Sequence, residues 1–423
     1  MLQTAFIKEN KDLVVERLKK RNFNAEEIIN NILKLDEDRK TTQQKLDSIL
    51  AESNQLAKQI GGLFKEGKVE EANTLKAKTS ELKEQVNQLK EQQNVVAEDL
   101  KQLLYQVPNV PNEIVPTGNT DADNEIVSEQ GVIPTLHDKA MPHWELAKKY
   151  DLIDFELGVK VTGAGFPIYK GKGAKLQRAL INFFLDEAEQ AGYQEVIPPL
   201  MVNEASGYGT GQLPDKEGQM YEMPLDNLFM IPTAEVPITN IYRDVIVKAE
   251  DFPIKNVGYT PCFRREAGSY GKDVRGLNRL HQFDKVEIVQ IQHPEKSYET
   301  LTEMVEHVKG LLDKLELPYR VAKLCGGDLG FTSALTYDME VYSVAQDKWL
   351  EVSSISNFET FQANRLKCRY KDENGKTQLV HTLNGSALAL PRILAALLEN
   401  NQVEEGIKIP KALEKYTGFN IIN

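Results

Sequence analysis

The sequence predicts an α+β fold on a mainly antiparallel sheet, preceded by a long antiparallel coiled-coil hairpin. Two patterns carry this prediction. Apolar and small residues recur in a 3,4 spacing through two long stretches before residue 106, with a glycine-bearing break between them. After residue 125, β-branched runs are grouped and do not alternate regularly with helices, which favours α+β over a doubly wound sheet.

The first zone, residues 1–106, is rich in Lys, Glu, Gln and Leu, with glycine only at 61, 62 and 67 and no proline. Its seam reads Ile32, Leu35, Arg39, Thr42, Leu46, Ile49, Ser53, Leu56 and Ile60. After Gly61-Gly62 and Gly67 it resumes as Ala72, Leu75, Thr79, Leu82, Val86, Leu89, Gln93, Val96, Leu100 and Leu103. A short connection makes the two helices antiparallel neighbours, each about 50 Å long at 1.5 Å per residue. Homotypic coiled-coil association is the competing use for such a hairpin. Residues 107–124 carry Pro108, Pro111, Pro116 and Gly118 and read as a non-helical linker. Residues 125–423 form the third zone, with strand-like runs at Val257–Arg264 and Phe283–Gln292.

Bulk properties exclude several classes. A chain 41% hydrophobic and 27% charged is an ordinary globular composition. No stretch reaches the ~20 apolar residues of a membrane span, and charge arrives by Lys8, too early for a signal peptide. Cys262, Cys325 and Cys368 are far apart, suggesting neither a disulfide framework nor a zinc cage. A cytoplasmic location is the expectation. The net charge of −12 argues against a general nucleic-acid binder, so any nucleic-acid contact must be local. There is no G-x-G-x-x-G or P-loop, and Gly171-Lys172-Gly173 lacks the spacing of one.

Three segments can carry chemistry. Phe263-Arg264-Arg265-Glu266 and Leu280–Glu287 flank a loop longer than a hairpin needs. By period two, Arg264 and Glu266 share a face, as do Phe283, Lys285 and Glu287, while Val286 and Ile288 take the other. An arginine can clamp phosphate and a phenylalanine can stack on a base. A solvated face with cross-strand salt bridges explains the pattern equally well. In Leu350-Glu351-Val352-Ser353-Ser354 an acid ends a strand-like run and can hold a hard cation, though alone it reads more readily as an exposed glutamate. His381–Ser386 leads into an apolar helix over Ala387–Leu398, where Arg392 must find an anion, structural or substrate.

In this order the segments resemble the signature motifs of class II aminoacyl-tRNA synthetases. Gly192-Tyr193 through Val196-Ile197-Pro198-Pro199-Leu200 resembles motif 1, Phe263–Glu266 with its return strand motif 2, and Leu383–Arg392 motif 3. Longer strings resemble the bacterial-type seryl-tRNA synthetases. They are Phe6-Ile7-Lys8-Glu9-Asn10, Gly209–Pro214, Pro232-Thr233-Ala234-Glu235, Phe263–Ser269, Leu280–Glu287 and Glu351–Asn357. The likeness covers essentially the whole chain.

The resemblance implies a class II antiparallel sheet flanked by helices, a homodimer, and an arm that binds the variable arm of tRNA(Ser). It implies ATP-dependent activation of L-serine and transfer to the terminal adenosine of tRNA(Ser), with tRNA(Sec) as a further acceptor. Arg264, Glu266 and Arg392 would be catalytic. ATP would lie on Arg264, Glu266, Arg279, Phe283, Glu351, Ser354 and Arg392, with Mg²⁺ on Glu351 and Ser354. Serine would meet Thr233, Glu235, Arg264, Glu287, Asn384 and Ser386. Adenylate formation brings two anions together, so arginines and a cation suffice without a side-chain nucleophile. The sequence departs from many relatives at Gly165, Ala387 and Pro391; Pro391 suits a first helical turn. Competing readings are a synthetase-like ligase that loads a carrier protein, and a coiled-coil interaction protein with a dead catalytic domain.

Overall fold

The computed structural model describes residues 1–266 and 275–423, which fall into two compact units. Residues 1–19 and 23–108 make the first. After short helices at Thr4–Glu9 and Lys11–Leu18 come two long ones, α1 (Glu26–Lys65) and α2 (Val69–Leu104). With 40 and 36 residues they run about 60 and 54 Å. Every residue of the expected seam is buried or half-buried, from Ile32 to Ile60 and from Ala72 to Leu103. Lys78 pairs with Glu52 at 2.8 Å, and Gln93 donates to Gln43 across the two helices.

The expected break at Gly61-Gly62 is not one. The first helix continues through both glycines to Lys65, and the turn falls at Gly67, whose φ is +78°. An interior glycine costs a helix about 1 kcal/mol, a penalty that the apolar seam on either side outweighs. Only Gly67 adopts a backbone that a side chain would resist.

Residues 20–22 and 109–423 form the second unit. Its main sheet has eight strands: β1 (Glu125–Gln130), β2 (Gln194–Glu195), β3 (Ile254–Phe263), β4 (Gln282–Gln292), β5 (Tyr319–Lys323), β6 (Leu335–Ser343), β7 (Lys348–Asn357) and β8 (His381–Ala389). The spatial order is β1-β5-β6-β7-β8-β4-β3-β2, antiparallel except where β2 runs parallel to β3. One face is covered by helices α3 (Gly171–Gln190), α4 (Ser297–Lys314) and α5 (Leu390–Asn400). Val286 and Ile288 from the sheet join Phe183, Met304, Leu311, Leu394 and Leu398 in that core. The interval expected to be a linker is packed: Asn109 donates from its side chain to the carbonyls of Thr332 and Phe358, both at 2.9 Å.

Two β-bulges interrupt the sheet's alternation. On β7, Met339 faces Ser353 but Glu340 faces Glu351, leaving Val352 as the extra residue. On β8, Lys285 faces Ala389 while Glu287 faces Ser386, an extra residue between them. Strand β8 therefore extends through Ala387–Ala389, and the helix expected from Ala387 begins at Leu390 with Pro391 in its first turn. Glu351, expected to end a strand, sits inside β7.

Gly171-Lys172-Gly173 opens α3, and packing accounts for Gly173. A Cβ there would lie 2.2 Å from the Leu152 carbonyl oxygen. Alanine is the better helix former by about 1 kcal/mol, yet this clash forces the backbone apart. Gly173→Ala is expected to lower the thermal midpoint by several degrees, read by calorimetry; a rise would show that propensity outweighs the close approach.

Candidate active site

The face of the sheet opposite the helices is polar, and its geometry follows from strand parity. Once Val286 and Ile288 enter the core, Lys285, Glu287 and Val289 must point the other way. Glu287 faces Ser386 across the pair, and Val289 faces Asn384, which in turn faces Ser356 of β7. The loop and short helix at Thr233–Asn240 lie over this part of the sheet, with Val289 packed on Ala234 and Ile238.

Thr233, Glu287, Asn384 and Ser386 are all buried, with Glu235 beside them. Lys285 Nζ donates to Thr233 Oγ1 at 2.9 Å and pairs with Glu287 Oε2 at 2.5 Å. Thr233 Oγ1 donates to Glu287 Oε2 at 3.3 Å. The solvated-face reading of Lys285 and Glu287 therefore fails: they are 7% and 2% exposed. The Asn384 amide is buried beside Glu235. Burial, then the neighbouring Glu287, pushes the Glu235 carboxyl up to about 7, against the opposing pull of Gln362 and Lys285.

Beside this pocket stand the phosphate-type groups. Arg264 follows the end of β3, its backbone N–H bonded to the His281 carbonyl at 2.9 Å and its Nε to the Pro232 carbonyl at 3.2 Å. Its guanidinium lies 5.1 Å from the centre of the Phe283 ring. Glu266 was expected on the same strand face as Arg264, but the strand stops at Phe263 and Glu266 adopts a φ of 48°. It pairs with Arg279 at 3.1 Å, across the ends of the long loop. Ala267-Gly268-Ser269 lie outside the described residues.

Arg392 donates to the Glu351 carbonyl at 2.7 Å and lies 3.4 Å from its carboxylate. The bulge at Val352 brings Glu351 and Ser354 to one face, opposite Glu340 and Asp338. Regular alternation would have separated them. These residues line a cleft of about 580 Å³ that also reaches Glu235 and Asn384. Burial, then Glu351, holds the Asp338 carboxyl well above its usual range, and its Oδ1 has no partner. Among the described residues no group of three or more His, Cys, Asp and Glu side chains is set to enclose a metal.

Sequence reasoning missed four contributors. Lys285 was placed on the right face but given no task. Gln362, fully buried on helix Thr360–Leu366, donates to Glu235 at 2.6 Å and accepts from Thr382 at 2.7 Å. Asp338 and Glu340 look like solvated strand residues until the bulge sets them against Glu351 and Ser354. Only alternation with Met339 and Val341, which enter the core, signals their face.

Comparison with known proteins fits this arrangement. Residues 221–401 match the model of the tRNA synthetase class II core domain (G, H, P, S and T), and residues 1–111 match the seryl-tRNA synthetase N-terminal domain. The serine–tRNA ligase of Salinibacter ruber is 50% identical over 421 residues, covering 99% of this chain and 98% of that protein. The chain belongs to the seryl-tRNA synthetases. That of Akkermansia muciniphila, also named a serine–tRNA ligase, is 45% identical across 100% of this chain and 99% of its own. The crystal structure of seryl-tRNA synthetase from Pyrococcus horikoshii, complexed with ATP, superposes with a TM-score of 0.92 at 35% identity, covering 100% and 99% of the two chains. The class II fold expected from the sequence is the one observed.

In this seryl-tRNA synthetase the raised Glu235 carboxyl has a thermodynamic signature. Between 4.5, its ordinary value, and about 7 the folded chain holds a proton that the unfolded chain has released. Stability due to this group therefore falls as pH rises through that window. Glu235→Gln removes the titration, so its stability relative to the native chain should gain about 1–3 kcal/mol from pH 4.5 to 7 in urea unfolding. A constant difference across the window would show that Glu235 ionises normally.

Proposed function

We infer that the chain is a serine–tRNA ligase: it activates L-serine with ATP and joins it to tRNA(Ser). The observation that carries this is a buried pocket of hydroxyl and carboxylate groups from Thr233, Glu235, Glu287 and Ser386, with Arg264 anchored on the adjoining Pro232 carbonyl. Full-length likeness to serine–tRNA ligases, arm included, disfavours the carrier-protein reading and the dead-domain reading.

In the first step the serine carboxylate oxygen attacks the α-phosphorus of ATP. The bond from that phosphorus to the bridging oxygen breaks and pyrophosphate leaves. Arg264 holds the α-phosphate, bidentate guanidinium to phosphate, and Phe283 stacks on adenine. Arg392 takes the γ-phosphate, exchanging its present Glu351 contact for a stronger anion. Glu266 and Arg279 complete the nucleotide site. Mg²⁺ would sit on Glu351 and Ser354; their hard oxygen donors, with the unpartnered Asp338 Oδ1 nearby, suit a cation shared with substrate phosphates. Its contribution when bound is to screen phosphate charge.

Thr233 and Glu235 receive the serine ammonium, while Glu287, Asn384 and Ser386 frame its hydroxyl. Ionised Glu235 is the form that attracts the ammonium, and the incoming positive charge favours that form. In the second step the hydroxyl of the terminal adenosine attacks the serine carbonyl carbon, and AMP leaves.

The division at 1–106, 107–124 and 125–423 assigns tRNA binding to the N-terminal hairpin and catalysis to the remainder. By the same reading tRNA(Sec) is a second acceptor, and the cytoplasm, where these substrates meet, is the site of action. No helix among the described residues is long and apolar enough to cross a membrane. A homodimer is supported by the motif 1 segment, which exposes Ile197, Leu200 and Met201. Ile197 is 87% exposed, an unfavourable place for an isoleucine unless a partner covers it.

Amino-acid-dependent ATP–pyrophosphate exchange without tRNA tests the first step. Serine should exceed alanine by about a thousandfold or more, because alanine leaves the hydroxyl pocket's groups unpaired. Arg264→Ala should lower the serine rate about a hundred- to a thousandfold. Exchange with alanine or glycine as fast as with serine would overturn the assignment. Separately, Ile197→Asp should shift the chain from dimer to monomer in sedimentation velocity; an unchanged dimer places the interface elsewhere.

A further inference from the structure

Outside the cleft, the second unit contains a sealed polar cluster that the reaction as written does not use. His143, the first residue of helix His143–Lys149, and Glu399, in the last turn of α5, are both completely buried. The His143 ring Nδ1 lies 2.7 Å from Glu399 Oε1, which also accepts the His143 backbone N–H at 2.8 Å. Ser343 donates to the other carboxylate oxygen, and Gln346 Nε2 donates to Oε1 at 3.0 Å. Four donors thus converge on one buried carboxylate, and no lysine or arginine is among them.

The far side of the ring fixes its tautomer. The backbone N–H of Leu277 donates to His143 Nε2 at 2.8 Å, so Nε2 carries the lone pair and the ring proton sits on Nδ1, aimed at Glu399. The contact is close: a Cβ on Gly276, whose φ is +69°, would lie 2.2 Å from Nε2. Beside it, Asn278 Nδ2 donates to Gln346 Oε1 at 2.8 Å. The Asn278 carbonyl accepts from Arg392 Nε at 3.2 Å, and the next residue, Arg279, holds Glu266.

The return leg of the long loop is therefore tied at three successive residues. Gly276 is pressed by the imidazole, Leu277 is bonded to it, and Asn278 is bonded to the glutamine that shares its carboxylate. The same leg presents a carbonyl to Arg392, which stands one turn into the helix whose other end carries Glu399. A rotation of α5 or a slip of the loop breaks bonds at both ends of this frame.

We propose that His143 is a positioning residue for the nucleotide: through Leu277 and Glu399 it holds Arg279 and Arg392 at a fixed separation. The proposal rests on the reading of those two arginines as ATP contacts. His143 itself touches no substrate. A buried histidine can also serve stability alone, and the two roles predict different kinetics. Loss of a brace on the two arginines weakens ATP selectively, whereas loose packing at the other end of the sheet has no reason to spare serine.

The test uses the full-length chain in pyrophosphate exchange, with KM measured separately for ATP and serine. His143→Asn keeps a donor towards Glu399 but withdraws the acceptor from Leu277. It should raise KM for ATP by about 10- to 100-fold and leave KM for serine within about twofold. Gln346→Leu, at a half-exposed turn and so tolerable to folding, should raise KM for ATP in the same direction by roughly threefold to tenfold. Arg392→Ala is the reference. If it leaves KM for ATP unchanged, the nucleotide-site reading fails. If it raises that KM while both His143→Asn and Gln346→Leu leave it alone, or raise both substrates' KM equally, the positioning role is overturned.

Discussion

Everything in the catalytic unit depends on the way β4 divides its side chains. Val286 and Ile288 are committed to the helical layer, so Lys285 and Glu287 are forced onto the opposite face with no freedom to slip. A one-residue shift would bury the charges among Phe183 and Met304 and expose the apolar pair. Charge then has to be balanced locally, and the 2.5 Å contact between Lys285 and Glu287, shared with Thr233, does this. A buried ion pair of this kind is weak evidence for stability, since apolar replacements often serve as well or better. In the proposed reading it sets the shape and polarity of a pocket for a small hydroxyl-bearing ligand.

The polar cleft is also electrically divided. Arg264, Arg279 and Arg392, the last beside Glu351, supply its positive charge, and Glu235 and Glu287 the negative charge of the buried pocket. An amino acid is a zwitterion, and a site with anions for its ammonium and cations towards its carboxylate orients it before any bond is made. In the proposed reaction the carboxylate is thereby directed towards the phosphate. Such preorganisation accounts for a reaction centre with no nucleophilic side chain.

Much of this was legible in the sequence where the physics is local. The hairpin seam from Ile32 to Leu103 is a one-dimensional pattern, and helices answer to such patterns directly. The alternation of Val286 and Ile288 with Lys285 and Glu287 is likewise visible in a window of a few residues. Three features were not legible. Gly61-Gly62 reads as a break, but the surrounding seam carries the helix through both residues. Glu351 and Ser354 share a face only because Val352 is extruded, and extrusion is decided by the neighbouring strand. The His143–Glu399 contact joins residues 256 positions apart, with no periodicity to announce it. Groupings set by one strand are legible in a sequence; those assembled by bulges and long-range packing are not.

The extra residue at Val352 has an engineering corollary. Drawing it back into the ladder at constant length would give a more regular pairing between β6 and β7, the sort of change that idealising a backbone rewards. Yet the residues on one side of the former bulge would turn over relative to those on the other, so Glu351 and Ser354 could not both remain at the cleft. Composition and length would scarcely change, and the sheet could grow stronger while the protein lost its work. A redesign that smooths the strand at constant length therefore removes the irregularity on which the site is built.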